Sequence, residues 1–247
     1  MNKKNRVGEK YNTNEGYIIE ITEYINVHKC SIKFENGVIL NDVYYSAVKT
    51  GQIKNPYHPS NCNNGYVGIG NYKTSIDGKH TRYYTIWKNM LQRCYSENYH
   101  LRTPTYKDCE VCDNWLNFQT FAKWFEDNYV EGYVLDKDLL SKGNKIYSPE
   151  TCCFIPPEIN SIIAGYTNRN KDLPLGVQKC KKSKKYTASL TLNYKSIYCG
   201  GYETIEEAFN KVIEFKNSHI ENILIQHKNN LSEEIFNAIK NYTIDGK

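Results

Sequence analysis

The fold is decided first by the stretch YTIWKNMLQRCY, residues 84–95. Its apolar residues Trp87, Met90, Leu91 and Cys94 recur at positions i, i+3, i+4 and i+7. This spacing indicates an α-helix, because side chains three and four residues apart lie on the same helical face. The stretch therefore predicts an amphipathic helix whose apolar face packs into a core.

A second helix and a strand pair are predicted further along the chain. Residues 133–154 read as short strands around a loop at 142–144. Pro157 and Glu158 open a further short helix, since Pro is favoured in a first turn and Glu there suits the helix dipole. The apolar face of the second helix comprises Phe118, Phe121, Ala122 and Phe125.

The segment before this region is rich in β-forming residues. Residues 16–21 form a β-rich run, and residues 30–34 alternate polar and apolar side chains. Asn36 and Gly37 then provide a hairpin turn before the next apolar run. Several short strands joined by tight turns predict a small barrel or sheet. Residues 55–59, with two prolines, are predicted to be a linker.

The last segment is predicted to begin with short strands and to end in helices. Thr204 is expected to cap the first of these helices, because Glu207 follows at the capping-box spacing. Ser232 is expected to start the last helix. The apolar face of the first helix comprises Ile205, Ala208, Phe209 and Val212, with the stem of Lys216 over the core edge. The short strands are expected at 175–177, 186–190 and 196–198.

The bulk composition limits the class of protein. A chain of 247 residues suffices for one large domain or two to three small ones. Lys and Arg total 32 against 27 Asp and Glu, so the net charge of +5 only mildly favours an anionic partner. The chain has no apolar run of about 18 residues and no secretory signal, so we expect a cytoplasmic protein. Its nine cysteines are then expected to be buried thiols or metal ligands.

Several blocks of the middle region share their order and spacing with a known family. They are residues 84–95, residues 111–115 with Phe118 and Phe121, and residues 135–138, 147–152 and 158–160. Together these blocks cover about 80 residues, and they resemble the HNH nuclease core of phage homing endonucleases.

The resemblance implies a ββα-metal fold that hydrolyses a phosphodiester. In that family an acidic residue binds a divalent ion, and a neighbouring His deprotonates the attacking water. An Asn in the loop orients that His, and an Asn or His on the following helix completes the metal site. A hard cation held by oxygen ligands neutralises charge on the transition-state phosphate, which implies Mg²⁺ or Mn²⁺ as cofactor.

Two of these four roles are filled when the family's residues are carried onto this chain. Asp136 stands at the acidic ligand and Asn160 at the helix ligand, with Asp138 as a further candidate. Lys137 stands where the general-base His is expected, and Thr151 where the orienting Asn is expected. A Lys with its ordinary pKa of about 10.4 is a poor base at neutral pH. The resemblance therefore predicts DNA binding, and the missing His leaves open whether the chain also cleaves DNA.

The cysteines offer a weaker hypothesis of a zinc site. Cys109 and Cys112 form a C-x-x-C pair, and Cys152 is a third candidate ligand. Cys94 is the optional fourth of the soft ligands that a tetrahedral zinc site needs. There is no second C-x-x-C pair, and the adjacent Cys152 and Cys153 rarely both bind one ion. We therefore favour buried thiols over zinc.

The positive charge of the chain is concentrated in residues 169–195. Eight basic residues and one acid, Asp172, give this segment a net charge of +7, which exceeds the charge of the whole chain. Such a stripe neutralises phosphates and releases counterions, which gives salt-sensitive binding to nucleic acid. The basic residues are Arg169, Lys171, Lys179, Lys181, Lys182, Lys184, Lys185 and Lys195.

The same segment carries a second set of recognisable residues. They are Gly176, Val177, Tyr186, Ala188, Tyr198, Gly201, Tyr202 and residues 204–208. In this order they resemble the three-stranded DNA-binding domain of plant ethylene-response factors, which also occurs in homing endonucleases and tyrosine integrases. In that family one helix packs on the sheet, and exposed sheet side chains enter the major groove. The candidates for contact are Lys179, Lys181, Lys182, Lys184, Lys185, Tyr186 and Lys195.

These observations predict an α+β protein in three small modules. Residues 1–60 form a β-rich, barrel-like module, and residues 61–165 form the HNH-like core with flanking helices. Residues 166–247 form the sheet-plus-helix module. We expect a phage-type protein that binds double-stranded DNA in the cytoplasm of a bacterial host.

Two other functions fit the sequence. A degraded catalytic block on a retained fold also suits a phage anti-defence (anti-CRISPR-like) protein that binds and inhibits a host nuclease or nucleoprotein complex. The 22 tyrosines also suit stacking on single-stranded bases, as in an RNA-binding protein.

Overall fold

The computed structural model of the chain describes residues 5–163, 172–181, 183–192 and 195–242. It is a mixed α+β structure, as predicted. The chain divides into two compact units. Unit 1 consists of residues 1–96 and 113–122, and unit 2 of residues 97–112 and 123–247. The three-module arrangement expected from the sequence is not confirmed by this division.

The strands of the described residues pair into one four-stranded sheet, one three-stranded sheet and three strand pairs. They are β1 (Lys10–Asn12), β2 (Ile18–Asn26), β3 (Lys29–Phe34), β4 (Ile39–Val43), β5 (Ser75–Ile76), β6 (Lys79–His80), β7 (Glu110–Val111), β8 (Val134–Asp136), β9 (Ile146–Tyr147), β10 (Cys153–Ile155), β11 (Val177–Lys179), β12 (Tyr186–Leu192) and β13 (Lys195–Tyr202).

The helices of the described residues range from one turn to more than six turns. They are α1 (Tyr45–Lys49), α2 (Arg82–Tyr95), α3 (Glu97–Arg102), α4 (Asp113–Leu116), α5 (Phe118–Asn128), α6 (Pro157–Ile163), α7 (Ile205–His227) and α8 (Glu233–Lys240), with 3₁₀ turns at Pro104–Tyr106 and Lys228–Asn230. Within these ranges no helix is both long enough and apolar enough to span a bilayer.

The N-terminal sheet of unit 1 is open. Its strands pair antiparallel in the order β1-β2-β3-β4, so β1 and β4 are its edges. Of the two alternatives that the sequence left open, barrel or sheet, the described residues form the sheet, and the barrel-like arrangement is wrong for them. The buried side of the sheet, which includes Ile19, Ile21, Ile32 and Phe34, is covered by Val48 of α1. Because a helix covers the apolar face, the sheet does not need to close on itself.

The rest of unit 1 is built around α2, and the predicted helix is confirmed. Its four apolar residues are all buried. The indole Nε1 of Trp87 donates to the carbonyl of Trp115 at 2.7 Å, and its ring lies 5.4 Å from that of Phe118. Gly65 passes directly over this helix, where a Cβ would lie 2.8 Å from the Trp87 ring. The absence of a side chain at residue 65 is thus required for this close approach.

A hydrophobic core of unit 2 joins two strand-and-helix arrangements. Ile155 and Ile159, from β10 and α6, belong to the same cluster as Val177, Ala188 and Val212, from β11, β12 and α7. The capping box predicted at the start of α7 is confirmed, because Thr204 accepts from the Glu207 amide and Glu207 accepts from the Thr204 amide. A strand pair with its helix and a three-stranded sheet with its helix therefore fold around shared side chains.

Candidate functional site

The residues carried over from the nuclease family lie on β8, on α6 and in the chain between β8 and β10. β8 and β10 pair antiparallel with Asp136 opposite Cys153, and α6 follows β10 directly. Ile159 and Ile162 of α6 are buried in the same core as Cys153. Along the chain, β8 is followed by β9, which pairs with β7, and then by β10 and α6.

Asp136 is a buried carboxylate that shapes the turn after β8. Its Oδ1 accepts from the backbone amides of Asp138 at 2.9 Å and Leu139 at 2.7 Å. Burial raises the pKa of Asp136, while these two amide bonds oppose the rise. One carboxylate oxygen is thus committed to the fold of the loop.

Lys137 is a buried cation held by two oxygen acceptors. Its Nζ donates to Asp138 Oδ1 at 2.7 Å and to the carbonyl of Asn144 at 2.6 Å. Burial acts to lower the pKa of Lys137, but the hydrogen bond and charge of Asp138 outweigh it, and the pKa is raised. Lys137 therefore stays protonated at neutral pH, and it has no free lone pair with which to activate water.

Asn144 in the loop holds the side chain of Lys137. The sequence did not identify Asn144 as a candidate for this role. Besides its carbonyl bond to Lys137 Nζ, its side chain donates to the Lys137 carbonyl at 3.1 Å and accepts from the Ile146 amide at 3.0 Å. Thr151, expected at this role, instead donates to the Ile146 carbonyl at 2.8 Å. The turn sequence Gly143-Asn144 was the available signal.

The candidate metal ligands Asp136, Asp138 and Asn160 are only partly available to a divalent ion. Asn160 is half-buried on α6, and the carboxylate of Asp138 is already bonded to Lys137. Mg²⁺ and Mn²⁺ need several oxygen ligands, and an adjacent ammonium repels them. In the part of the chain that the structure describes, no group of three or more His, Cys, Asp or Glu side chains is placed to hold a metal.

The cysteines near this block are free thiols. The parallel pair β7 and β9 brings Cys112 alongside Tyr147, whose carbonyl accepts from the Cys112 amide at 2.9 Å. Burial raises the pKa of Cys109 and raises that of Cys152 to about 12. Cys94 belongs to unit 1.

The three-stranded sheet of unit 2 has one side against α7 and one open side. Val177, Ala188 and Leu190 are buried in the core with Val212 of α7. Side chains alternate along a strand, so their neighbours point the other way. We call this other side the open face. From the strand register it comprises Gln178, Thr187, Ser189, Thr191, Ser196, Tyr198 and Gly201.

Tyr198 is the most prominent side chain of the open face. It is 68% exposed and lies opposite Ser189 on β12. A Cβ atom added at Gly201 would lie 3.3 Å from the Tyr198 hydroxyl. Tyr186, the aromatic residue expected from the sequence to contact DNA, is half-buried against the core. The open face therefore presents hydroxyls, one amide and one tyrosine ring.

The turn between β11 and β12 carries the predicted basic residues. It is closed by the Cys180 amide, which donates to the Lys185 carbonyl at 2.9 Å. Lys181 and Lys184 are exposed, whereas the Lys185 Nζ lies 2.6 Å from Glu203 Oε1. Lys182, Arg169 and Lys171 lie outside the described residues.

The sheet's remaining lysines stand at its margins. Lys179 and Lys195 are exposed, and the register places Lys179 opposite Tyr186, on the side of the sheet that faces α7. Lys195 stands two residues before Ile197, the partner of the buried Leu190, and therefore lies on the same side. Within the described ranges, none of Lys179, Lys181, Lys184 and Lys195 forms an ion pair with a carboxylate. Lys181 and Lys184 in the turn therefore carry exposed ammonium groups beside the sheet, whereas Lys179 and Lys195 lie on the side of the sheet opposite the open face.

Comparisons with protein-family models, with curated proteins and with solved structures found no match for this chain.

Proposed function

We propose that this chain is a phage-type DNA-binding protein, related to HNH homing endonucleases, that contacts duplex DNA through the open face. The observation that carries the proposal is the polar open face beside exposed, unpaired Lys181 and Lys184. In protein–DNA complexes, ammonium groups contact phosphates and fix position, whereas side chains on a rigid element read base edges. The sheet and its basic turn supply both kinds of group.

The chemistry of the open face suits the major groove. Ser and Thr hydroxyls donate to or accept from base edges, and Gln makes paired bonds to adenine. The major groove admits a two-stranded β-ribbon, and β11 and β12 with their basic turn form such a ribbon. Gln178, Thr187 and Tyr198 are the side chains we assign to base contact, and Lys181 and Lys184 those we assign to phosphates.

The proposal includes a ββα block that supports binding but cleaves poorly. Lys137 is held as a cation by Asp138 and Asn144, so it does not act as a general base. The single buried carboxylate of Asp136 does not provide a full donor set for Mg²⁺. We infer that this block, the N-terminal sheet and the basic sheet act as three modules of one DNA-binding protein.

The proposal is tested by fluorescence anisotropy on a labelled duplex over a series of salt concentrations. We expect the logarithm of affinity to fall linearly with the logarithm of salt concentration. The double variant Lys181→Gln/Lys184→Gln should reduce the slope by about two, one for each lost phosphate contact. The matched control is Lys211→Gln, because Lys211 is already paired with Glu214 at 2.7 Å.

The same titration separates the other functions. No salt-dependent binding to duplex DNA at low ionic strength overturns the proposal. Tighter binding to RNA or single-stranded DNA than to duplex DNA points to stacking on unpaired bases. A pull-down from host lysate tests the anti-defence function. If one host nuclease stays bound to this chain after DNA and RNA in the sample have been digested, the result favours that function.

Cleavage is tested by nicking of supercoiled plasmid with Mg²⁺ or Mn²⁺. We expect no nicking by the wild type above that of the variants Asp136→Ala and Asn160→Ala. Nicking by the wild type that both variants abolish would show that the block holds a metal and that a group other than Lys137 serves as base.

A further inference from the structure

A cavity of about 930 Å³ lies between α7 and α8, on the part of unit 2 that the DNA-binding proposal does not use. Its volume is within the range of about 300–1,000 Å³ typical of small-molecule sites. Most of its wall is apolar. The apolar side chains lining it include Phe209, Ile213, Ile220, Leu224, Ile225 and Phe236.

One wall of this cavity carries a buried cation. Lys216 is only 1% exposed, although it is a lysine. Its Nζ lies 4.7 Å from the centroid of the Tyr242 ring, and Tyr242 also lines the cavity. Among the residues that the structure describes, no carboxylate forms an ion pair with Lys216. An ammonium in apolar surroundings without a counter-ion is unfavourable, so this position is primed for an anion.

The remaining charges around the cavity have the same overall sign. Lys228 and Lys240 line it together with Lys216, and Glu221 is the acid that lines it. The rim is therefore net positive. Burial, with a smaller contribution from Lys142, lowers the pKa of Lys216 to about 8, which reflects the missing counter-ion.

We propose that this cavity binds a small amphipathic anion, an apolar chain or ring that carries one carboxylate. The apolar body would bury itself against Phe209, Leu224 and Phe236, and the carboxylate would pair with the ammonium of Lys216. A nucleic-acid backbone is not the expected ligand, because it has no apolar part that could pack against these side chains. The proposal is independent of DNA binding, because it uses neither the open face nor the basic turn.

The first test is a ligand series on the full wild-type chain by isothermal titration calorimetry. The probes are decanoate, 1-decanol and decylammonium, all below the concentrations at which they aggregate. They share one apolar chain and differ in head-group charge. We expect decanoate to bind one-to-one and about tenfold more tightly than decanol, and decylammonium not to bind.

Two variants separate charge from volume. Lys216→Met keeps the length of the side chain and removes the charge, so decanoate should bind it no more tightly than decanol does. Leu224→Trp fills the cavity and should abolish binding of both probes. Lys211→Met, a lysine of the same helix that does not line the cavity, should bind decanoate like the wild type.

Three results would overturn the proposal. One is equal affinity of wild type for decanoate and decanol, and another is decanoate binding that both cavity variants leave unchanged. The third is a wild-type dimer, seen by light scattering, that fails to bind decanoate and becomes monomeric in Leu224→Trp. That result would show that the cavity between α7 and α8 is a contact surface between two copies of this chain. The ligand series needs no variant, so it decides the matter even if Lys216→Met does not fold.

Discussion

The loop around Lys137 and the groove around Lys216 each bury a lysine, but they treat its charge in opposite ways. Lys137 has a carboxylate and a carbonyl as acceptors at 2.7 and 2.6 Å, and its pKa is raised. Lys216 faces an apolar cavity and a tyrosine ring, and its pKa is lowered. A buried ammonium whose bonds are complete is part of the fold, whereas one that lacks a counter-ion is available for a ligand.

The largest effect is expected when the completed pair is broken. Lys137→Met leaves the Asp138 carboxylate and the Asn144 carbonyl without their shared donor. We expect a loss of about 3 kcal/mol in the free energy of unfolding, because removing one partner of a buried pair strands the other. Urea unfolding followed by circular dichroism measures the change. A loss below about 1 kcal/mol would mean that solvent replaces the ammonium at this loop.

Removing the lysine from the cavity between α7 and α8 is expected to have the opposite effect on stability. Lys216→Met removes a charge that is buried without a counter-ion, so the free energy of unfolding at pH 7 should increase by about 2 kcal/mol. The same urea experiment measures it, with Lys211→Met as the exposed control near zero. If Lys216→Met destabilises the chain as Lys137→Met does, the two lysines are equivalent and the comparison fails.

The pH dependence sharpens the same contrast. The folded-state pKa of Lys216 lies near 8, below its ordinary value of 10.5. Its destabilising effect is therefore complete below pH 8 and disappears as the pH rises toward 10.5. The advantage of Lys216→Met over the wild type should accordingly shrink across this window. An advantage that stays constant from pH 7 to pH 10 would assign it to packing and not to charge.

The smallest effect is expected when only the charge of the acceptor changes. Asp138→Asn keeps an oxygen acceptor for Lys137 but removes the opposite charge. Because Asp138 is partly exposed, we expect a loss of about 1 kcal/mol, which thermal unfolding measures as a shift of roughly 2–4 °C. A loss as large as that of Lys137→Met would show that the ion pair, and not the hydrogen-bond geometry, stabilises this loop.

Helices α2, α5, α6, α7 and α8 could be predicted from the sequence because their signals are local. The buried faces of α2 and α5 follow from apolar spacing, and the cap of α7 from Thr204 and Glu207. The closure of a sheet depends on what covers it, so the barrel was wrongly expected where α1 covers the N-terminal strands. Residues 55–59 were expected to be a linker, but Asn55 is buried and its backbone N–H donates to the Glu15 carboxylate at 2.9 Å. This end of the segment is therefore fixed to the N-terminal part of the chain.

The candidate sites were harder to predict because they depend on contacts between distant residues. A bulge between Ala188 and Ser189 shifts the register of β13, so Tyr198 lies on the open face although Tyr202 lies on the side of α7. Simple alternation would place both tyrosines on one side. Similarly, the spacing of Lys216 placed its stem at the core edge, but only the fold of α8 beside α7 shows that it is enclosed.

The shared core of unit 2 has a consequence for how such a chain can change over evolutionary time. Ile159 and Val212 belong to one apolar cluster, although they lie on the helices of two different strand-and-helix arrangements. A recombination breakpoint between α6 and β11 would leave each half with an uncovered apolar surface. The parts of unit 2 before and after this breakpoint are therefore expected to be inherited together. Substitutions in the shared core of one part should be accompanied by compensating substitutions in the other.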